Sequence, residues 1–457
     1  MIKVTLLWTD IMVWLLIVSL LAWAWVISRS PQVKKQWHTI FKSSIAMASA
    51  VILLFYMLFT LLDSVHLRFA VPQTETSSQK VHYKGEILSV LDLIFAHNIK
   101  NTERTYSAPF ATHEYAKSIV LDENGVTQQV NLPLKHVSQK RNLLKSSLFA
   151  LSIGFMISLV LILLHIVWRS KGSVAGEIKN LVSGESILPW WTAYLTLTVL
   201  IMTFTWLYML SYSYHVLGTD KVGGDVLYHS FKSIRTGVLI GLLTTLIMLP
   251  VSVVLGVSAG LFGGWVDDMI QYLYTTLSSI PGVLLIAAGV LAMQVMMDNN
   301  PEWFETTLER SDLRMLFLII ILGITSWTGL ARLLRAETLK ISQIEFVTAA
   351  KAFGVGKWTI IRRHIIPNLM HIILISVVLD FSGLVLAEAV LSYVGVGVDP
   401  TMHSWGNMIN QARLEMAREP MVWWSLFSAF IFMFILVLAA NLFSDRIQKV
   451  LDPRNKA

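Results

Sequence analysis

Apolar runs separated by shorter polar stretches set the pattern of this chain. Nine of them reach the roughly 17–25 residues that a helix needs to cross the hydrocarbon core of a bilayer. They are Ile11–Ile27, Ile45–Leu62, Ser147–Trp168, Trp190–Leu210, Gly237–Leu261, Ile270–Met297, Met315–Ala331, His371–Leu391 and Met421–Phe443. In lipid every backbone N–H and C=O must be satisfied within the protein, so runs of this length form helices. The pattern predicts an all-α, polytopic transmembrane bundle of about nine helices. The first run, at 17 residues, is at the lower limit, and Ala22-Trp23-Ala24 within it has the small-residue spacing of a signal-peptide cleavage site. Lys3 is the only basic residue ahead of it, so we expect a retained helix. Pro250 and Pro281 fall inside runs and predict kinks.

Basic residues orient the helices, because cytoplasmic loops carry the excess of Lys and Arg. With Arg29–Ser44, Arg169–Pro189, Phe262–Met269, Arg332–Met370 and the tail from Ser444 in the cytoplasm, those segments hold 18 Lys and Arg, against 8 in the short segments opposite. The N-terminus is then outside and the C-terminus cytoplasmic. Phe262–Met269, with Asp267 and Asp268 and no basic residue, runs against the trend. Two polar pieces remain. Asp63–Ser146 lies outside in this topology, broken by Pro72, Gly85, Pro109 and Pro133, with Glu86–Phe95 amphipathic enough to predict a short helix. Arg332–Met370 lies in the cytoplasm.

Composition sharpens this picture. The chain is 55% hydrophobic and 14% charged, where soluble domains carry about 25% charged residues. Sixteen Trp and twelve Tyr fit rings anchored at two membrane interfaces. The net charge of +7 sits mostly in the cytoplasmic loops, so it calls for no nucleic acid. The absence of cysteine excludes disulfides and Cys-ligated metals. Asp, Glu and His do not cluster at metal-ligand spacing, so no protein-bound metal is expected.

The cytoplasmic loop carries the most specific pattern. From Glu345 it reads Glu-Phe-Val-Thr-Ala-Ala-Lys-Ala-Phe-Gly354, then Val-Gly-Lys-Trp-Thr-Ile-Ile-Arg-Arg-His-Ile-Ile-Pro367. As a helix, its residues Phe346, Val347, Ala350 and Phe353 fall within an arc of about 120°. Glu345, Thr348 and Lys351 lie outside that arc, so the segment is amphipathic. Gly354 permits the sharp turn at its end. A second amphipathic segment, Lys357–Ile366, follows, and Pro367 is expected to stop it before the next membrane helix. Ala349 and Ala350 keep this knob slim enough to enter a groove on another protein. On periodicity alone an ordinary basic loop fits as well. Gly356-Lys357 does not make a phosphate-binding loop, since Lys351 stands where the first Gly belongs and Trp358 follows the Lys.

The loop resembles the EAA loop of ABC importer permeases, which reads Glu-Ala-Ala, three residues, Gly, nine residues, Ile-x-Leu-Pro. Ala349, Ala350, Gly354 and Pro367 occupy their slots, while Thr348, His364 and Ile366 replace the Glu, Ile and Leu. Three further stretches are similar to the peptide/nickel branch of that family. Gly218-Thr219-Asp220 with Gly223 and Asp225 resembles its Gly-Thr-Asp block, although Gly224 stands in place of the usual Arg. Leu391–Gly397 with Ser404-Trp405-Gly406 resembles an outer block, and Asn441–Asp445 with Leu451–Arg454 the tail. The resemblance covers roughly Trp190–Lys456, in the right order. It implies a six-helix permease core at 190–457 and an N-terminal extension at 1–189 with three helices and the outer loop 63–146, for which bracing of the complex is our reading.

The resemblance also implies a function. The chain would pair with a second permease to form a pathway for di- or oligopeptides, in the bacterial inner membrane. Two ATPase subunits would bind ATP and Mg and dock on the coupling helix, and this chain would hold no cofactor and catalyse nothing itself. An extracytoplasmic solute-binding protein would deliver substrate. The docking residues implied are Glu345, Val347, Thr348, Ala349, Ala350, Phe353, Gly354 and Pro367. Charge inside a membrane helix is costly, so Asp380 and Glu388 are candidates for lining the pathway or packing internally. They are eight residues apart, about 80° round the helix. Two other classes compete. An ion-coupled secondary transporter or channel would use those two carboxylates and show paired broken helices in internal repeats. A membrane-anchored enzyme would need a nucleophile and base in 63–146, where no such set is found.

Overall fold

The computed structural model describes residues 2–29, 31–70, 85–121, 127–137, 142–170, 176, 181 and 186–451. Pro72 and the Asp452-Pro453-Arg454 end of the tail lie outside the described residues. In chain order the elements are β1 (Ile2–Thr5), α1 (Trp8–Arg29), α2 (Pro31–Phe41), α3 (Ser44–Asp63), β2 (His66–Phe69), β3 (Leu88–Ser89), α4 (Val90–Ile94) and α5 (Ala96–Lys100). There follow β4 (Ser118–Leu121), β5 (Thr127–Val130), α6 (Leu143–Arg169), α7 (Trp190–Ser211), α8 (Val226–Phe262), α9 (Gly264–Ser279) and α10 (Gly282–Asp298). The last are α11 (Thr307–Ser342), α12 (Glu345–Ala352), α13 (Lys357–Ile360), α14 (Ile366–Val394), α15 (Trp405–Glu415) and α16 (Trp424–Leu451).

Seven of these helical segments are long and apolar enough to cross a membrane, and α9 with α10 would make an eighth if they form one broken span. The apolar part of α1 is shorter, Trp8–Ala22. Seven or eight such spans stand where about nine are expected: the first expected segment lies on the shorter α1, and the sixth is not one straight span. α9 and α10 meet at 87°. Ile280 is extended, as the residue before a proline prefers to be, and Pro281 starts the second helix instead of kinking a single one. Pro250, by contrast, sits within the continuous α8.

Two compact units make up the chain, and both draw on the first 189 residues. The first takes Met1–Leu6, Ile27–Val238 and Met402–Phe443. In it β1, β2 and β3 form an antiparallel sheet with Ile2 opposite Phe69 and His66 opposite Ser89. Phe59, Phe95, Phe204 and Phe231 form an aromatic core, with centroids 4.9–5.5 Å apart between Phe231 and the other three. The helix expected over Glu86–Phe95 is shorter. Ser89 accepts the Asp92 N–H and Asp92 accepts the Ser89 N–H, so this capping box starts α4 at Val90 and leaves Leu88–Ser89 to pair as a strand.

The second unit takes Leu7–Val26, Leu239–Thr401 and Ser444–Ala457. Met248, Val257, Trp327, Leu330 and Leu334 pack at its core. The Thr9 N–H donates to Asp312 Oδ2 at 3.0 Å and its hydroxyl donates to the other carboxylate oxygen, which fixes the start of α1 to α11. α8 has 37 residues and α11 has 36. At 1.5 Å per residue each is about 55 Å long, against a hydrocarbon core of about 30 Å. Both are therefore longer than one crossing of the hydrocarbon core requires.

Candidate functional site

α11 ends at Ser342, and after two intervening residues α12 begins the expected knob at Glu345. The base of α11 is held by Arg335, whose guanidinium makes two bonds to Asp267, Nε to Oδ1 at 2.5 Å and Nη2 to Oδ2 at 2.6 Å. Gly354 has φ +75°, and beyond it the Val355 N–H reaches back to the Ala350 carbonyl at 3.0 Å. That is the left-handed termination for which glycine is suited. α13 then returns through a wide π turn, Ile361–Ile365, directly into α14.

Pro367 does not stop this segment. It occupies the first turn of α14, where its missing N–H costs little, and the π turn just before it spaces the carbonyls apart. One helical path consequently runs from the knob into the membrane span, Lys357–Val394.

The apolar arc of α12 is split between two environments. Val347 is fully buried and Ala350 partly so, packed among Ile360, Ile361, Ile365 and Leu369. Phe353 is 88% exposed and Trp358 73% exposed, with Phe346 exposed as well. Phe353 lies one residue past the end of α12, outside the helical register that put it on the inner face. Glu345, Thr348, Ala349, Gly354 and Pro367 are all exposed, and the Thr348 hydroxyl donates to the Glu345 carbonyl at 2.9 Å. The knob is thus anchored by a few aliphatic side chains and offers large rings outward.

The block Gly218–Asp225 is built differently. Gly223 has φ +78°, and a Cβ there would lie 1.8 Å from the Glu103 carbonyl oxygen, so the loop 63–146 and the block touch backbone to backbone. The Glu103 N–H donates to the Gly223 carbonyl at 3.0 Å. Thr219, fully buried, donates its hydroxyl to the Thr105 carbonyl at 2.9 Å and accepts the Ser107 N–H at 2.6 Å. Asp220 accepts from the Val222 and Gly224 amides. Asp225 caps α8 by accepting the Leu227 N–H at 2.9 Å, and takes Asn98 Nδ2 at 3.1 Å and His215 Nδ1 at 2.9 Å. Burial alone would lower the His215 pKa, but the carboxylates of Asp225 and Glu103 hold it above its ordinary value.

Several residues escaped the sequence reading. Lys232 Nζ donates to Asp63 Oδ1 at 2.7 Å, Asp92 Oδ1 at 2.6 Å and Ser89 Oγ at 3.0 Å. Burial would raise the Asp92 pKa, and the Lys232 ammonium instead holds it below its ordinary value. His229 and His403 share an Nδ1–Nδ1 hydrogen bond of 3.0 Å, and Trp405 Nε1 donates to the Ser230 carbonyl at 3.2 Å. A run of charge at the head of an otherwise apolar helix was the only available signal. In α14, Asp380 is half-buried, while Glu388 is 2% exposed and accepts the Ser392 hydroxyl at 2.7 Å.

Residues 252–457 match the family described as binding-protein-dependent transport system inner membrane component. The glutathione transport system permease protein GsiD of Pectobacterium atrosepticum is 31% identical over 54% of this chain and 74% of its own length. The dipeptide transport system permease protein DppC of Bacillus subtilis is 30% identical over 52% and 69%. The oligopeptide transport system permease protein OppC of Haemophilus influenzae is 31% identical over 53% and 71%. A chain of the MetNI methionine ABC transporter is similar over 49% of this chain and 96% of its own, at 17% identity and a TM-score of 0.36, too slight to argue from.

The chain belongs to this family and is a multi-pass membrane permease subunit of an ABC importer. Within the family it falls in the peptide/nickel branch. Such a permease works with a partner permease and with ATPase subunits. Membership decides against the ion-coupled secondary transporter.

Proposed function

We propose that this permease imports short peptides and that α12 is its coupling helix, docked in a cleft of an ATPase subunit. Support for the substrate class comes from relatives named for dipeptides, oligopeptides and glutathione. One observation carries the docking: Val347 is sealed against Ile360 and Ile361 while Phe353 and Trp358 stand in the open. Large exposed rings on an otherwise anchored knob fit a partner pocket. In this reading the knob faces the cytoplasm, the N-terminus lies outside, and a solute-binding protein delivers substrate from outside.

ATP and Mg are held by the partner ATPases, whose closure displaces α12. The knob is fastened to α11 and runs unbroken into α14, so its displacement re-orients both helices and alternates access to the pathway. Nothing in this linkage needs an acid or base. Asp380, half-buried, is assigned to the pathway side of α14, Glu388, which is buried, to internal packing, and Gly218, Thr219, Asp220, Gly223 and Asp225 to the seat on which the outer loop braces the core. Phe353→Asp and Gly354→Arg test the reading. Both variants should insert normally, fail to co-purify with the ATPase subunits and lose uptake of a labelled tripeptide. Full co-purification and uptake in both would refute it.

A further inference from the structure

The short helix α2 lies between two apolar helices with almost no slack. α1 ends at Arg29 and α2 begins at Pro31, while α2 ends at Phe41 and the span α3 begins at Ser44. A two-residue link reaches about 7 Å at full extension, so the Phe41 end of the helix stays close to the start of the apolar span α3. One side is taken up by protein. Ile40 is buried, and the Phe41 ring lies 6.1 Å from that of Phe443.

The other side is exposed and basic, with Lys34, Lys35 and His38 in the open, and Lys42 is exposed one residue past the end of the helix. Among the described residues no carboxylate pairs with any of the three lysines. The chain holds neither Asp nor Glu anywhere between Asp10 and Asp63. A merely solvated helix face mixes both signs of charge, and this one does not. Its positive charge is complementary to the anionic surface against which the connections hold it.

We propose that α2 is a binding surface for anionic phospholipid headgroups, held by Lys34, Lys35 and Lys42. Each lysine near an anionic membrane surface is worth about a fivefold gain in retention, so the three together give about a hundredfold. The site is independent of which solute the permease carries.

The test uses the assembled transporter in nanodiscs of equal phosphatidylglycerol and phosphatidylcholine, released and weighed intact with its bound lipids. The wild type should keep phosphatidylglycerol over phosphatidylcholine. Replacing all three lysines (Lys34→Gln, Lys35→Gln, Lys42→Gln) should lower that preference by about a hundredfold, while Arg at the same positions should retain it. Added inorganic phosphate should leave the bound phosphatidylglycerol in place. Equal retention of the two lipids by the wild type, an unchanged preference in the Gln variant, or displacement by free phosphate would each overturn the proposal.

Discussion

Replacing Lys232 by Met isolates the charge that fastens the loop 63–146 to the head of α8. The ammonium is 15% exposed and lies between Asp63 and Asp92, whose side chains are 3% and 9% exposed. Removing it leaves two carboxylates facing each other with no cation, and breaking a buried pair from one side costs about 3–5 kcal/mol. Replacing Asp63 and Asp92 by Asn in the same chain removes the stranded charges and should return most of that loss. Thermal unfolding of the purified permease, followed by size-exclusion of the heated sample, reads both variants. The pH dependence separates electrostatics from packing. In the wild type, Asp92 is held below its ordinary value of 3.8, so its contribution is complete above that value and is lost as pH falls below it. In Lys232→Met the same carboxyl is buried without a cation and shifts upward, so the variant gains stability as pH falls from 7 towards 5. An unchanged melting temperature, or a triple variant no better than the single one, would refute this account.

Two further perturbations probe the seat itself. Gly223→Ala puts a side chain into a left-handed backbone, at a cost of about 1–3 kcal/mol, and drives its Cβ into the Glu103 carbonyl. Limited proteolysis should then cut within 98–137 in the variant and spare the wild type. His215 is held above its ordinary 6.5 by Asp225 and Glu103, so its contribution is complete below that value and is lost as pH rises through the folded value. Amide exchange over 98–110, corrected for intrinsic rate, should be slower at pH 6 than at pH 9. Equal protection at both would remove the ion pair from the account.

The membrane spans and the knob of α12 and α13 were legible because their signals are local. Apolar length marks a span, and Gly354 with the two alanines marks a tight turn between slim helices. The break at Ile280-Pro281-Gly282 was overlooked because the residues on both sides are equally apolar, and hydropathy does not register direction. Pro367 misled for a related reason: whether a proline ends a helix depends on the turn before it, and a π turn leaves no mark in composition. The seat was invisible in principle. Glu103 with His215, Asp92 with Lys232, and Gly223 with Glu103 are pairings across more than a hundred residues, and nothing local announces them.

The chain contains no cysteine, so a single introduced thiol is unique in it. Lys351→Cys places that thiol on the exposed side of α12 and leaves the Phe353 ring in place, and Ile119→Cys places one on the exposed hairpin of β4 and β5. In membranes holding the assembled transporter, a short thiol-to-amine crosslinker should join the chain to an ATPase subunit from position 351 and not from position 119, with a yield that changes when a non-hydrolysable ATP analogue is added. Absence of an ATPase adduct from position 351, or its appearance from position 119, would contradict the assignment of α12 as the coupling helix.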